Sequence, residues 1–272
     1  MIKKTFRSIA PLVFAMLAWS VNAQTYRPIA GFSAETNRKL ESFLNSTRTM
    51  KERKVAVFDC DGTLLDSMDV WREVEDELAR RAGATLTDAD KDELTTLNIP
   101  EAGAFFHDRF GLGAAADDVV RMMDELMLDY YRNRAHERPG ALAFVSALVE
   151  RGVRVSVASS SPQKYLQAGL ERAGFSPYVS LIVSVDDVAS SKREPKVYDH
   201  ARRLMDTPLD TTWGFEDSAY ALRTLRDAGY RTVGIYDRDD AGTHEELRAN
   251  ADVVIDSFEE LDAETFIGWN GC

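Results

Sequence analysis

The chain has 272 residues, 44% of them hydrophobic and 29% charged, which suits a globular protein with a full core and excludes a wholly disordered one. Its formal charge of −12 argues against a nucleic-acid-binding face, because a surface that meets a phosphate backbone needs basic residues. A small anionic ligand stays compatible with that charge, since one local cation or metal overrides the net field.

The first residues, MIKKTFRSIAPLVFAMLAWSVNAQ, combine a basic start (Lys3, Lys4, Arg7), an apolar run from Ile9 to Val21 and a small-residue site at Val21-Asn22-Ala23. This is the pattern of a secretory signal peptide, residues 1–23, cleaved after Ala23. The apolar run falls short of the roughly 20 residues that span a bilayer, so no stable membrane anchor is expected after cleavage. The expected location is secreted, in the periplasm. Losing three basic residues takes Lys+Arg from 33 to 30 against 45 acids, leaving the mature chain near −15. Of the two cysteines, Cys60 reads as a small packed residue and Cys272 as a free tail.

A helix is predicted from Ser33 to Asn45, with Ser33 as N-cap and Leu40, Phe43 and Leu44 on one side. Lys54-Val-Ala-Val-Phe58 then reads as a short strand that ends at Asp59, with a second carboxylate, Asp61, two residues further on. From about Ser67 to Arg138 there is no strand-like run. The patterns are helical: Val70 to Ala82, Asp88 to Leu97, Glu101 to Phe110 and Ala116 to Arg134. Apolar runs resume at Val153 to Ala158, Leu181 to Val185, Thr212 to Phe215, Thr232 to Ile235 and Val253 to Ile255. Helical patterns lie between them, at Pro139 to Arg151, Pro162 to Ala173, Pro195 to Met205 and Ser218 to Ala228, several closed by glycine. The expected fold is α/β, a Rossmann-like parallel sheet sandwiched by helices. Residues 24–66 and 139–272 would form this core, with residues 67–138 as an inserted all-helical subdomain.

In such sheets ligands sit beyond the carboxyl ends of the strands. The polar residues there are Asp59, Asp61 and Thr63 after the first run, Ser159, Ser160 and Ser161 after the second, Lys192 near the third connection, and Glu216, Asp217 and Ser218 after the fourth. Clustered acids of this kind call for a divalent metal, and hard oxygen ligands select Mg2+, which takes one or two carboxylates plus a substrate phosphate. Asp59 can then act as an ionised nucleophile, while Asp61 offers its backbone carbonyl to the metal and its side chain as a general acid. Each element alone has a plainer explanation as a surface turn, a helix N-cap or a solvated lysine. Their recurrence at successive strand ends does not.

Asp59-Cys-Asp61-Gly-Thr63, Ser159, Lys192 and Glu216-Asp217 resemble, in order and spacing, the four motifs of the haloacid dehalogenase-like (HAD) superfamily. The helical insertion after the first motif resembles the C1 cap of its phosphoglucomutase-like branch. "SKREPKVY" is similar to that family's Lys-Pro-x-Pro-Asp/Glu pattern, with Arg193 in place of the first proline and Lys196 in place of the acid. The resemblance implies a Mg-dependent phosphatase that hydrolyses small phosphomonoesters through an aspartyl-phosphate on Asp59. In that scheme Lys192 and the metal screen the phosphate, and Ser159 and the Ser160 N–H bind its oxygens. Asp217, with Glu216 beside it, completes the metal site with Asp59 and Asp61, Thr63 orients Asp61, and Gly62 permits the bend.

Three relatives in chemistry are disfavoured. A dehalogenase has no need of Asp61. A phosphonoacetaldehyde hydrolase needs a cap lysine, and Lys91 is the one lysine between Asp66 and Pro139. A β-phosphoglucomutase carries a histidine where this chain has Trp71, which could instead stack on a sugar or base. Phosphosugar mutase and a non-catalytic secreted binding protein remain the alternatives. In the helical segment, Met68, Asp69, Trp71 and Arg72 are the residues expected to face substrate, and His107 and Arg109 are further candidates to reach the cleft. Expressed in its own host, the mature chain is expected to begin at Gln24, which N-terminal sequencing of the exported fraction checks. An intact N-terminus in the cytosol would count against export.

Overall fold

The computed structural model describes residues 54–94, 97–238 and 241–269, together with Ser33, Glu35, Asn37 and Arg38. The signal segment, most of the helix expected from Ser33 to Asn45, and Cys272 lie outside the described residues.

β1 (Val55–Phe58) is buried along its whole length. Val55 and Val57 enter one apolar layer with Val197, Tyr198, Ala201 and Leu225. Ala56 and Phe58 enter the other, with Phe144, Phe215, Phe258 and Phe266. A strand covered on both faces has no solvent side, which is why Val-Ala-Val-Phe runs without a polar break. Around it are β2 (Arg154–Ser159), β3 (Val179–Ser184), β4 (Thr212–Glu216), β5 (Arg231–Ile235) and β6 (Val253–Ile255). Together they form a six-stranded sheet, ordered β3-β2-β1-β4-β5-β6, with every neighbouring pair parallel. The strands follow the expected apolar runs, except that β3 starts two residues earlier. Val179 pairs with Val155 and Leu181 with Ser156, so a bulge at Ser180 lengthens the strand beyond its apolar stretch.

The chain fills one side of β1 with β2 and β3, then returns to its other side with β4. This reversal makes the β1/β4 crevice the switch point where open α/β sheets bind ligands. Phe58 pairs with Val157 on one side and Phe215 on the other, so Asp59 and Glu216 leave their strands at the same height.

Between β1 and β2 lie α1 (Met68–Arg81), α2 (Asp88–Leu94), α3 (Ile99–Phe110) and α4 (Ala116–Asn133). α3 begins two residues before its expected start because Asn98 caps it reciprocally with Glu101, and Pro100 is tolerated in the first turn. α4 is the long helix of the group and buries Val119, Met123, Met127, Tyr130 and Tyr131. It packs against α1 and α3 within the insertion and against the helix Gln163–Arg172, which covers the sheet. The insertion and the sheet belong to one compact unit.

The remaining helices are α5 (Ala141–Glu150), α6 (Gln163–Arg172), α7 (Lys196–Leu204), α8 (Ala219–Asp227), α9 (His244–Asn250) and α10 (Ala263–Gly268). α5, α6 and α10 cover the Phe58 face, and α7 and α8 cover the Val55/Val57 face. Among the described residues no helix is long and apolar enough to cross a membrane.

The Phe58 face is an aromatic cluster. Phe58 stacks on Phe215 at 4.2 Å between ring centroids, and Phe144 touches Phe58, Phe215, Phe258 and Phe266. Phe144→Ala removes the ring common to these contacts and is expected to cost about 3–5 kcal/mol, as buried Phe→Ala changes do. Equilibrium urea denaturation measures it.

Candidate active site

The carboxyl ends of β1, β2 and β4 and the connection between β3 and α7 bring the candidate residues together. Asp59 follows β1 and is held to the sheet by its N–H, which donates to the Phe215 carbonyl at 2.9 Å. Its carboxylate accepts from the Lys192 ammonium, and both side chains are buried. The same ammonium donates to Glu216 Oε1 at 2.6 Å. The Tyr198 phenol, from α7, donates to that oxygen as well, also at 2.6 Å. Glu216 Oε1 is thus saturated. Glu216 Oε2 is buried and has no partner among the described residues.

Asp217 lies beside them, and Thr63 Oγ1 donates to its Oδ1 at 3.4 Å. Thr63 therefore meets Asp217, where the family resemblance implies Asp61. Gly62 makes the approach possible for two reasons. Its φ is +80°, in the left-handed region, and a Cβ there would stand 2.4 Å from Asp217 Oδ2.

Asp61 points elsewhere. Its Oδ1 accepts from Ser67 Oγ at 2.6 Å and from the Tyr131 phenol at 2.5 Å, and its Oδ2 accepts from Ser161 Oγ at 2.6 Å. Three neutral hydroxyls take the place of the single threonine expected. Ser159 is buried at the end of β2, and its hydroxyl accepts from the Ser161 N–H at 3.1 Å, which shapes the loop. Ser160 is exposed.

Oxygens of Asp59, Glu216 and Asp217 lie within 4.8 Å of one another, and all three residues are buried. Burial pushes the Asp59 carboxyl up from 3.8 to about 7; Lys192 opposes the shift, while Glu216 and Asp61 reinforce it. Asp217 is driven well above the carboxylate range by burial, then by Asp59 and Glu216. Burial works against the Lys192 charge too, but Asp59 and Glu216 outweigh it and hold its pKa above the ordinary value. One ammonium thus faces three carboxylates that repel one another. An orphaned carboxylate oxygen in an all-oxygen donor set that lacks positive charge fits a hard divalent cation, with Asp59, Glu216 and Asp217 as the side chains able to hold it.

The helical segment contributes less than expected to this cluster. Trp71 is half-buried against the apolar interior, and Asp69 pairs with Arg238 at 2.8 Å. His107 bonds the Leu112 carbonyl at 3.0 Å. Arg109 pairs with Asp90 and Glu93 and lies over the Phe105 ring, so both His107 and Arg109 serve the insertion's own structure. Lys91 pairs with Asp76 at 3.5 Å. Met68 is close to Gly62. Tyr131, Tyr198 and Ser161 enter the site without any sequence signal for those roles, although Ser161 belongs to the serine run singled out after β2.

Comparison with known proteins agrees with this geometry. Residues 53–235 match the family model of haloacid dehalogenase-like hydrolases. The chain belongs to that family. Among curated relatives, it is 27% identical over 208 residues to validoxylamine A 7'-phosphate phosphatase from Streptomyces hygroscopicus subsp. limoneus, covering 76% of this chain and 95% of that protein. It is 25% identical to hexitol phosphatase B from Escherichia coli strain K12, covering 81% and 99%. Among solved structures, CbbY from Rhodobacter sphaeroides in complex with phosphate superposes with a TM-score of 0.65 at 26% identity, covering 77% of this chain and 96% of that one.

In this hydrolase the raised Asp59 pKa has a consequence for stability. Between 3.8 and about 7 the folded Asp59 holds a proton that the unfolded chain has lost, so stability falls as pH rises through that window. In metal-free buffer, the stability of the wild type relative to Asp59→Asn is expected to drop between about pH 4 and pH 7. A saturating divalent cation should flatten that drop. Denaturant titrations with and without metal measure the slope, and equal slopes in both proteins would show that Asp59 does not titrate there.

Proposed function

We propose that this hydrolase is an exported phosphatase that uses Mg2+ to cleave small phosphomonoesters through an aspartyl-phosphate on Asp59. The observation that carries the reading is the buried carboxylate cluster at the β1/β4 crevice, with Lys192 on Asp59 and with Asp61 turned away toward hydroxyl donors. The phosphatase names of its relatives support the substrate class.

In the first step a carboxylate oxygen of Asp59 forms a bond to phosphorus as the bond from phosphorus to the ester oxygen breaks. The departing oxygen keeps the electron pair and takes a proton from Asp61. In the second step Asp61 removes a proton from water as its oxygen attacks phosphorus. The bond between Asp59 and phosphorus breaks, releasing inorganic phosphate and restoring both side chains. Lys192 keeps the approach of an anionic nucleophile to an anionic ester tolerable, and the Ser159 hydroxyl and the Ser160 N–H are the donors offered to the phosphoryl oxygens. When bound, Mg2+ supplies charge neutralisation at Asp59 and the phosphate, with Asp217 and Glu216 Oε2 as its further side-chain partners. The helical insertion, residues 67–138, serves as the cap over the crevice.

Purified mature protein is expected to hydrolyse an aryl phosphate with Mg2+ and to lose that activity in EDTA. Asp59→Asn should lower kcat by about a thousandfold or more while leaving the circular dichroism spectrum unchanged, since loss of a nucleophile removes the covalent route. Wild-type turnover in that variant would show the nucleophile to be another group.

A further inference from the structure

Tyr131 sits near the end of α4, in the helical insertion, seventy positions along the chain from the carboxylate it touches. Its ring is fully buried, and its hydroxyl donates to Asp61 Oδ1 at 2.5 Å. Ser67 meets the same oxygen, and Ser161 holds the other. Serine hydroxyls reorient with a single torsion, so they follow a carboxylate that turns. A tyrosine hydroxyl oxygen moves only with its ring.

That ring is fixed by its surroundings. It stacks on Tyr165 of α6 at 5.3 Å between centroids, with the planes 9° apart. The Tyr165 hydroxyl returns to α4 through Asp124 Oδ1 at 2.6 Å, and Lys164 pairs with the same aspartate. Gly169 on α6 makes the room. A Cβ there would lie 2.7 Å from Tyr131 Cδ1 and 2.8 Å from Leu65 Cδ1, so the ring rests where only a glycine leaves space.

We propose that Tyr131 is a positioning residue for the proton-transfer step, its phenol fixing the Asp61 carboxyl in the orientation that delivers a proton to the departing alkoxide. This rests on the phosphatase reading above. Tyr131 keeps its own proton throughout; the proton that moves goes from Asp61 to the ester oxygen as the bond to phosphorus breaks. A ring that merely packed α4 on α6 would have no effect on which leaving groups the enzyme handles. A ring that positions Asp61 does, because an alkoxide needs the proton and a nitrophenolate leaves without it.

The test compares kcat/KM for an alkyl phosphate and for 4-nitrophenyl phosphate, with Mg2+, in the wild type, Tyr131→Phe, Gly169→Ala and Tyr165→Phe. Tyr131→Phe should lower the alkyl value by about tenfold or more, a part of the 10²–10⁴ that general acid catalysis supplies, and change the aryl value by less than about threefold. Gly169→Ala, which displaces the ring but keeps the hydroxyl, should show the same selectivity and serves if Tyr131→Phe does not fold. Tyr165→Phe removes a hydroxyl of the same stack that does not reach Asp61, and should leave the alkyl-to-aryl ratio at the wild-type value. Equal losses on both esters in Tyr131→Phe, or no loss on either, overturn the role of Tyr131. So does an unchanged ratio in Gly169→Ala. A wild type inert toward both esters overturns the phosphatase reading itself, a result distinct from any of these.

Discussion

The structure depends on one electrostatic constraint, three buried carboxylates held around a single ammonium at the point where the strand order reverses. Lys192 bonds Asp59 and Glu216 together, and the register of β1 against β4 puts those two acids at one height. Removing such charges from water is costly, and pairing offsets only part of the cost. What remains is the upward shift of Asp59 and Asp217, together with an oxygen of Glu216 that nothing described satisfies. A site left this short of positive charge fits a divalent cation, and the rest of the fold holds it in that state. Tyr198 reaches in from α7 to share with Lys192 one Glu216 oxygen, and the other is left buried without a partner among the described residues.

The insertion is joined to this centre on two sides by different chemistry. On one side α4 meets α6 through the Tyr131/Tyr165 stack and the Asp124 contacts, a largely buried aromatic joint. On the other side charges alternate along a chain. Asp69 at the start of α1 pairs with Arg238 after β5, Arg238 with Asp237, and Asp237 with Arg138 at the exit from the insertion. Asp69 is largely exposed while Asp237 is buried, so the outer pair is screened by water and salt and the inner one is not. The aromatic joint is thus the firmer attachment, and it is the one that touches Asp61.

Much of this arrangement could be read from the sequence, and the reason is geometric. Strands buried on both faces appear as unbroken apolar runs, and a parallel sheet puts the residue after each run on the same edge, so Asp59, Ser159 and Glu216-Asp217 could be placed together without knowing strand order. Lys192 was legible through its place in a motif. The contacts of Tyr131, Tyr198 and Ser161 were not, because a helix pattern tells which face of α4 or α7 is buried but not which hydroxyl meets which carboxylate once the helices pack. Thr63 illustrates the same limit: the family resemblance implies that it orients Asp61, yet its hydroxyl meets Asp217. α9 and α10 are too short to show a helical period, although their caps, Thr243 and Asp262, were there to be read.

Two aspartates separated by a single residue can share a strand end because the backbone turns between them. Gly62 takes a left-handed conformation, its N–H bonds the Leu65 carbonyl at 2.9 Å, and the Leu64 N–H returns to the Cys60 carbonyl at the same distance. The loop so closed sends Asp59 toward Lys192 and Asp61 toward Ser67, Ser161 and Tyr131. The partners differ in kind as well as direction. An ammonium can only donate, so it favours an ionised Asp59, as the proposed nucleophile requires. A hydroxyl can donate or accept, so the groups around Asp61 can satisfy that carboxyl with its proton or without it. A residue proposed to give up a proton in one step and recover it in the next needs surroundings of that second kind.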